Sequence, residues 1–285
     1  MKIAIAGITG YIGQKLSKYL MSEGHEIVPV KRNHFKLSQD DFAAYLNGCD
    51  AIINLSGAPV IKRWTESWKK EILSSRVETT RKIVAALTVT KRKPDVYINA
   101  SAIGIYDYEH ENDETTPYFG HNFLADVVKQ WEAEAKKVND LEIRSCITRF
   151  GVVLGKDGSA FPVMKKPFEW FVGGKIGDGQ QVMSFIHIED LIRALEELLT
   201  NKKANGVYNL VAPQYCTNKE FTLTLAKALH RPALFTVPVF ALKLLYGGAA
   251  EVVVGGEKVI PAKLKELGFK FQYPEISSTI NDLVE

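Results

Sequence analysis

Gly7, Gly10 and Gly13 are spaced by two residues each, between an apolar run from Lys2 to Ala6 and a helical pattern reaching about Gly24. A second apolar run, Ile27 to Val30, comes next. Strand, glycine turn, helix and strand in that order can cradle a pyrophosphate. Gly7 permits the turn, Gly10 has no Cβ to hold a phosphate off the backbone, and Gly13 lets the helix lie close on the sheet. The amides at the start of that helix face the phosphate charge. A bound dinucleotide is the reading favoured here; a tight turn without ligand is the other.

The second strand ends Val30-Lys31-Arg32-Asn33, with no acidic residue from Ile27 through Leu37. A site for NAD would place a carboxylate there to hold the ribose hydroxyls. Arg32 can instead pair with a 2′-phosphate, so NADP(H) is favoured over NAD(H). An arginine at a strand end is also common where nothing binds.

Other reactive side chains are scattered. Ser101 ends an apolar run from Val96 to Ala100, and its hydroxyl suits either a strand-end cap or a hydrogen bond to substrate or nicotinamide. Tyr106, His121 and Asp126 are conceivable substitute acids, and each reads at least as readily as a loop or surface residue. His187 reads as a structural hydrogen-bonder at a helix start in preference to a catalyst. Phe168, Trp170 and Phe171 could stack on a substrate base or fill a lobe interface. His25 and His34 have no metal-ligand partners nearby.

The elements that must position these groups alternate between strand and helix. A short helix is expected over Gln39 to Leu46, preceded by a loop or short strand near Phe35. A doubly covered strand, Cys49 to Leu55, closes in Ser56-Gly57-Ala58-Pro59 at the ligand-binding edge. Glu66 to Thr90 reads as a long helix with a bend, Val96 to Ala100 as a strand, and 107–120 as an acidic loop. Phe123, Val127, Val128, Trp131, Ala135 and Val138 recur at helical spacing. Ile143 to Phe150 is a strand, and 157–183 is rich in glycine and aromatic residues. Phe185 to Asp190 is a strand-to-helix junction, Val207 to Leu210 a short strand, and Asn218 a candidate cap for a helix from Lys219 to Leu229. This is an α/β chain of Rossmann type, a doubly wound parallel sheet with a smaller, interwoven C-terminal substrate lobe. Residues 1–155 plus 184–212 are expected to form the dinucleotide domain, and 156–183 plus 213–285 the small lobe.

The 285 residues are 46% hydrophobic and 24% charged, with a net charge of +3 dispersed along the chain. That argues against nucleic acid as a partner, since the densest run, Lys91-Arg92-Lys93, precedes a Pro-Asp break. Cys49, Cys146 and Cys216 are far apart and odd in number, without metal spacing, which fits a reducing compartment. A core strand at the very N-terminus leaves no room for a signal peptide. Val237 to Val254, the most apolar later stretch, is broken by Lys243, Gly247, Gly248 and Glu251, so it reads as one or two buried or interface helices and not a membrane span. A cytoplasmic monomer or homodimer is expected.

Gly7-x-x-Gly10-x-x-Gly13, Ser101 with Tyr106, Arg149 before Gly-Val-Val, and Phe185-Ile-His187-Ile-Glu-Asp190 together resemble the extended short-chain dehydrogenases/reductases. That superfamily includes the nucleoside-diphosphate-sugar epimerases and dehydratases. Asn54-Leu-Ser-Gly57-Ala-Pro59, Arg63-Trp64-Thr65, Ser75-Arg76, Gly173-Gly174 through Gly179 and Pro213 through Asn218 resemble its atypical "epimerase family" branch. The resemblance spans essentially the whole chain. It implies that Gly7, Thr9, Gly10, Tyr11, Ile12 and Gly13 hold the pyrophosphate. Asn54, Leu55, Ser56 and Gly57 would line the adenosine and ribose side. Ser101 would bond the reacting oxygen, and Arg149 with Val152 would lie near the nicotinamide.

The resemblance also exposes a gap. Catalysis in the superfamily uses Tyr-x-x-x-Lys on the helix after the acidic loop, the four-residue spacing placing both side chains on one face. Anchoring on Glu132 puts Leu124 and Val128 at those two positions, and neither exchanges a proton. The literal matches Tyr11–Lys15 and Tyr215–Lys219 lie elsewhere in the pattern. The expected function is an NADP(H)-dependent oxidoreductase or epimerase on a small or nucleotide-linked carbonyl or hydroxyl substrate. The alternative is an NADP(H)-binding sensor or interaction protein without turnover.

Overall fold

The computed structural model describes residues 1–285. Six strands form one parallel sheet: β1 (Lys2–Ala6), β2 (Glu26–Val30), β3 (Ala51–Asn54), β4 (Val96–Ala102), β5 (Arg144–Phe150) and β6 (Gly206–Leu210). Their spatial order is β6-β5-β4-β3-β1-β2. The chain winds outward from β1 to β2 and then crosses back to β3. The order therefore reverses between β1 and β3, and a crevice opens beyond their carboxyl ends.

Both faces of the sheet are covered, because successive side chains of each strand point to opposite sides. Ile3, Ile5, Ile53 and Ile98 meet α1 (Tyr11–Ser22) through Leu16 and Leu20, and the later helix Ile188–Thr200 through Leu191, Leu195 and Leu198. Ala4, Ala6, Ile52, Tyr97 and Ile147 face α2 (Gln39–Leu46) and α3 (Glu66–Val89) through Phe42, Leu46, Ile83 and Leu87. Residues such as Leu195, wholly buried here, would cost about 2–5 kcal/mol if cut back to alanine.

Local details refine the expectations. The region of Phe35 is a 3-10 turn, His34–Lys36, so β2 remains the sheet edge. The long helix α3 runs uninterrupted for 24 residues, capped by Thr65, whose hydroxyl accepts from the Trp68 amide. Thr217, not Asn218, caps the helix Asn218–Ala228, in a capping box with Glu220. The Asn218 side chain accepts instead from the Ile176 amide.

A second cluster stands beside the sheet. Phe161, Phe168, Phe221, Leu225, Ile280 and Leu283 pack together there. Short strand pairs tie it up, 174–176 with 235–237 and 182–183 with 216–217. Within the apolar stretch after Val237, the helix Val239–Tyr246 buries none of its residues. Phe240 and Leu244 are 72% and 75% exposed. Only Ala249 and Ala250 of the following turn are buried, because the glycine pair Gly247-Gly248 redirects the chain. No helix is long and apolar enough to cross a membrane.

Candidate functional site

The glycine turn sits at the carboxyl end of β1, on the crevice. Gly7 adopts φ +79°, and the Gly10 amide donates to its carbonyl at 3.0 Å. A Cβ on Gly7 would stand 2.6 Å from the Leu55 carbonyl oxygen, and one on Gly13 would stand 2.4 Å from that of Gly7. Strand ends and helix are thus packed to main-chain contact. Gly10 is different: its only neighbour is the Gly7 oxygen, at 3.3 Å, and the rest of its surroundings are open. Gly10 is the N-cap of α1 and supplies no side-chain cap. The first helical bond runs from the Gln14 amide to the Gly10 carbonyl, leaving the Tyr11 and Ile12 amides without an intrahelical acceptor. These residues fit a phosphate group. No acidic side chain lies in the first turn to compete with one. Thr9 forms the rim, its carbonyl held by Gln14 Nε2 at 2.8 Å.

The tyrosine–lysine pair on α1 has a structural partner. Tyr11 donates to Asp157 Oδ1 at 2.8 Å and Lys15 Nζ reaches Oδ2 at 2.7 Å. The Tyr11 ring fills the space beside Gly155 and Gly158. The pair therefore pins the hairpin formed by 152–155 and 158–159 onto the phosphate-facing helix. Asp157 is held below the usual carboxylate range, first by Lys15 and then by Tyr11. Tyr215, of the second literal match, donates to Glu111 Oε2.

Arg32 is exposed just past β2, and its guanidinium makes no hydrogen bond to the protein. Across the crevice, Asn54 is fully buried, donating to Thr80 and Asn99 and accepting from the Ser56 amide at 3.1 Å. Its side chain shapes the loop and does not reach the surface. Leu55 packs partly into the core beside Gly7, and Gly57 lies under the Arg76 guanidinium. Arg76 donates to the Ala58 carbonyl, and burial lowers its pKa to about 10.

The sheet register places Ser101 opposite Arg149. From there a buried network spreads to α4 (Phe123–Lys136) and β6. Arg149 grips Glu132 by two bonds and donates to the Tyr106 hydroxyl at 2.7 Å, which in turn donates to Asn209 Oδ1 at 2.8 Å. Ser101 donates to Glu132 Oε1 at 2.7 Å. Tyr106 is wholly buried, and that burial raises its phenol against the lowering effect of Arg149. Ser101, Tyr106 and Arg149 therefore present no open hydroxyl or guanidinium toward the crevice. Val152 lies half-buried where the chain leaves β5, its amide donating to Ser184.

Leu124 is in the first turn of α4, and Val128 is buried one turn later with Ile103, Ile105, Val211 and Val259. His187 is buried and caps the helix Ile188–Thr200, its Nδ1 accepting from the Glu189 amide. Trp170 and Phe171 are exposed, while Phe168 belongs to the side cluster. His121 and Asp126 lie at the surface. Sequence reasoning used Glu132 only as an anchor and passed over Tyr108, Glu251 and Glu257. Asn122 Nδ2 and Tyr108 join α4 to the segment around Glu251. The signal was the pair Gly255-Gly256, which lets the backbone come close to Tyr108 and Val182.

A parallel sheet whose order reverses at β1/β3, with an amide-lined glycine turn at that point, defines a dinucleotide-binding α/β protein. Residues 3–210 match the NAD-dependent epimerase/dehydratase family, and the chain belongs to that family. Residues 237–283 match a domain of unknown function. The chain is 39% identical to an epimerase family protein of Staphylococcus saprophyticus, over 98% of each. It is 36% identical to the chloroplastic SDR39U1 homolog of Arabidopsis thaliana, over 100% of this chain and 87% of the relative. The human epimerase family protein SDR39U1 (isoform 2), crystallised with NADPH, matches at TM-score 0.91 and 33% identity, over 100% and 99% of the two chains. UDP-glucuronic acid 4-epimerase of Bacillus cereus, 19% identical with TM-score 0.80, shares the fold.

Proposed function

We propose that this protein is an NADP(H)-dependent oxidoreductase or epimerase acting on a small carbonyl or hydroxyl compound, free or nucleotide-linked. The observation that carries the reading is the open Gly10 turn with its two free amides, at a sheet edge where Arg32 stands unpaired and no carboxylate follows β2. The human relative crystallised with NADPH supports the same choice of dinucleotide. Gly7, Gly10, Gly13 and the Tyr11 and Ile12 amides would hold the pyrophosphate, with Thr9 at the rim. Arg32 would take the 2′-phosphate, and the loop from Leu55 to Gly57 the adenosine side. The cofactor supplies hydride chemistry when bound. The chain's part is to bind, orient and exclude water, while Ser101, Tyr106 and Arg149 brace the wall through Glu132. Residues 156–183 and 213–285 would form the substrate side.

Leu124 and Val128 favour a second reading, an NADP(H)-binding sensor without turnover, since neither can exchange a proton. Calorimetry with NADPH and NADH, followed by NADPH consumption against a panel of carbonyl compounds, decides between them. Tight NADPH binding with consumption supports the enzyme. Tight binding with neither consumption nor epimerisation of any supplied nucleotide sugar supports the sensor, and no binding of either dinucleotide defeats both.

A further inference from the structure

Beyond the carboxyl end of β4 stands a carboxyl group that the glycine turn does not explain. Gly104 follows β4, and a point one bond out from its Cα lies 3.7 Å from Glu257 Oε1 and 3.8 Å from Leu124 Cβ. Glu257 therefore overlooks the same space as the first turn of α4, on the edge of the sheet where ligands of such folds bind.

Its position is built. Gly255 lies against the Tyr108 ring, where a Cβ would stand 2.7 Å from Cζ, and Gly256 lies against the Val182 backbone, where one would stand 2.2 Å from the oxygen. Beyond it, Ser184 Oγ donates to the Glu257 carbonyl at 2.7 Å and accepts from the Val259 amide at 3.0 Å. Lys258–Val259 then pairs with Glu111–Asn112. The backbone is fastened on both sides of Glu257, which holds its side chain beside Gly104 and Leu124.

A carboxylate kept for structure would be paired, as Glu132 is. Apart from its own amide, the Glu257 carboxyl receives a hydrogen bond from no residue. The charged and titratable groups around it do not neutralise it. Glu251 is of like sign, and the Tyr108 phenol is spent on Glu251 at 3.2 Å while accepting from Asn122 Nδ2 at 3.1 Å. Lys258 Nζ turns away to the Glu109 carbonyl. Burial first, then Glu251, pushes Glu257 up to about 7, where a carboxyl can both hold and release a proton at neutral pH.

Resting on the oxidoreductase reading, we propose that Glu257 exchanges the proton with the substrate oxygen at the place where Leu124 offers none. In the reducing direction the carbonyl carbon accepts a hydride from NADPH, which leaves as NADP⁺. The carbonyl π pair moves onto oxygen and takes the proton of the Glu257 carboxylic acid, giving the alcohol and a carboxylate that solvent reprotonates. The reverse steps oxidise an alcohol, with the carboxylate as base.

Three measurements on the full chain test this: NADPH affinity by calorimetry, carbonyl reduction, and carbon-13 NMR titration of glutamate-labelled protein without cofactor. The Glu257 signal is assigned by its loss in Glu257→Gln, an isosteric change that removes repulsion from Glu251 and is expected to fold. The signal should titrate near 7. Glu257→Gln should keep NADPH affinity and lose on the order of 10²–10⁴ in rate, with part restored in Glu257→Asp. Unchanged turnover in Glu257→Gln, or a carboxyl titrating in the ordinary glutamate range, overturns the role of Glu257 and leaves the oxidoreductase reading standing. Wild-type protein that consumes no NADPH with any carbonyl overturns that reading and the proton role together.

Discussion

Arg149 and Glu132 face each other through two parallel hydrogen bonds, Nε to Oε1 at 2.7 Å and a terminal nitrogen to Oε2 at 2.8 Å. Their side chains are only 4% and 3% exposed. Arg149 comes from β5 and Glu132 from α4, so the pair fixes that helix over the sheet beside Ser101. Removing Glu132 leaves a buried guanidinium without its carboxylate, and removing Arg149 leaves Glu132 only Ser101 and the more distant Lys136 Nζ, at 3.8 Å. Arg149→Ala or Glu132→Ala should each lose about 3–5 kcal/mol in urea unfolding, and the joint replacement Arg149→Met with Glu132→Leu should lose less than either. Equal stability of the single variants and the wild type would refute this account.

The three glycines should separate under mutation. Gly13→Ala forces a Cβ to 2.4 Å from the Gly7 oxygen and should lower the melting temperature. Gly10→Ala meets nothing closer than 3.3 Å, at a φ of −75° open to any residue, so it should fold as the wild type does. Its methyl group would stand where the pyrophosphate is expected, and calorimetry should show NADPH affinity falling about tenfold or more, roughly 1.4 kcal/mol.

Arg32 makes no contact that folding needs, so Arg32→Ala should leave the melting temperature within error. If it pairs with a 2′-phosphate, the loss of a charge-assisted bond is about 1.5–3 kcal/mol. NADPH affinity should then fall about ten- to a hundredfold while NADH affinity holds. An unchanged ratio of the two affinities would remove Arg32 from the site.

Two titrations of opposite sign should overlap on the acid side of neutrality. Burial, only partly offset by Asp282, lowers His187 from its ordinary value near 6.5. The unfolded chain thus takes up that proton first, and stability falls as pH drops below about 6.5. Glu257 is raised from near 4.5 to about 7, so the stability linked to its protonated form is full below about 4.5, declines as pH rises from there and is gone above about 7. Urea midpoints from pH 5 to 8 should separate the two in the variants: in His187→Gln stability falls more steeply as pH rises from 5 to 7, and Glu257→Gln raises stability at pH 8 more than at pH 5. A Glu257→Gln variant that gains nothing at pH 8 would show an unperturbed carboxyl.

Much of the fold is legible from short-range pattern. The continuous apolar run at 51–53 marks a strand covered on both faces, and the spacing of Phe123, Val127 and Trp131 marks a helix with one buried side. The helix at Gln39–Leu46 begins and ends where its pattern does. The stretch after Val237 is less readable, since hydrophobicity states a preference for burial without naming what supplies the cover. There a helix displays Phe240 and Leu244 to solvent.

From sequence alone came the glycine turn and the alternation of strands and helices. Those features depend on residues within about one element of each other, where backbone sterics and side-chain period act directly. The tertiary structure alone decided that Ser101 and Tyr106 are committed to the Arg149–Glu132 pair, and that Glu257 comes beside Leu124. Such meetings depend on sheet register and on how closely Gly255 and Gly256 let distant backbone approach. No local preference encodes either.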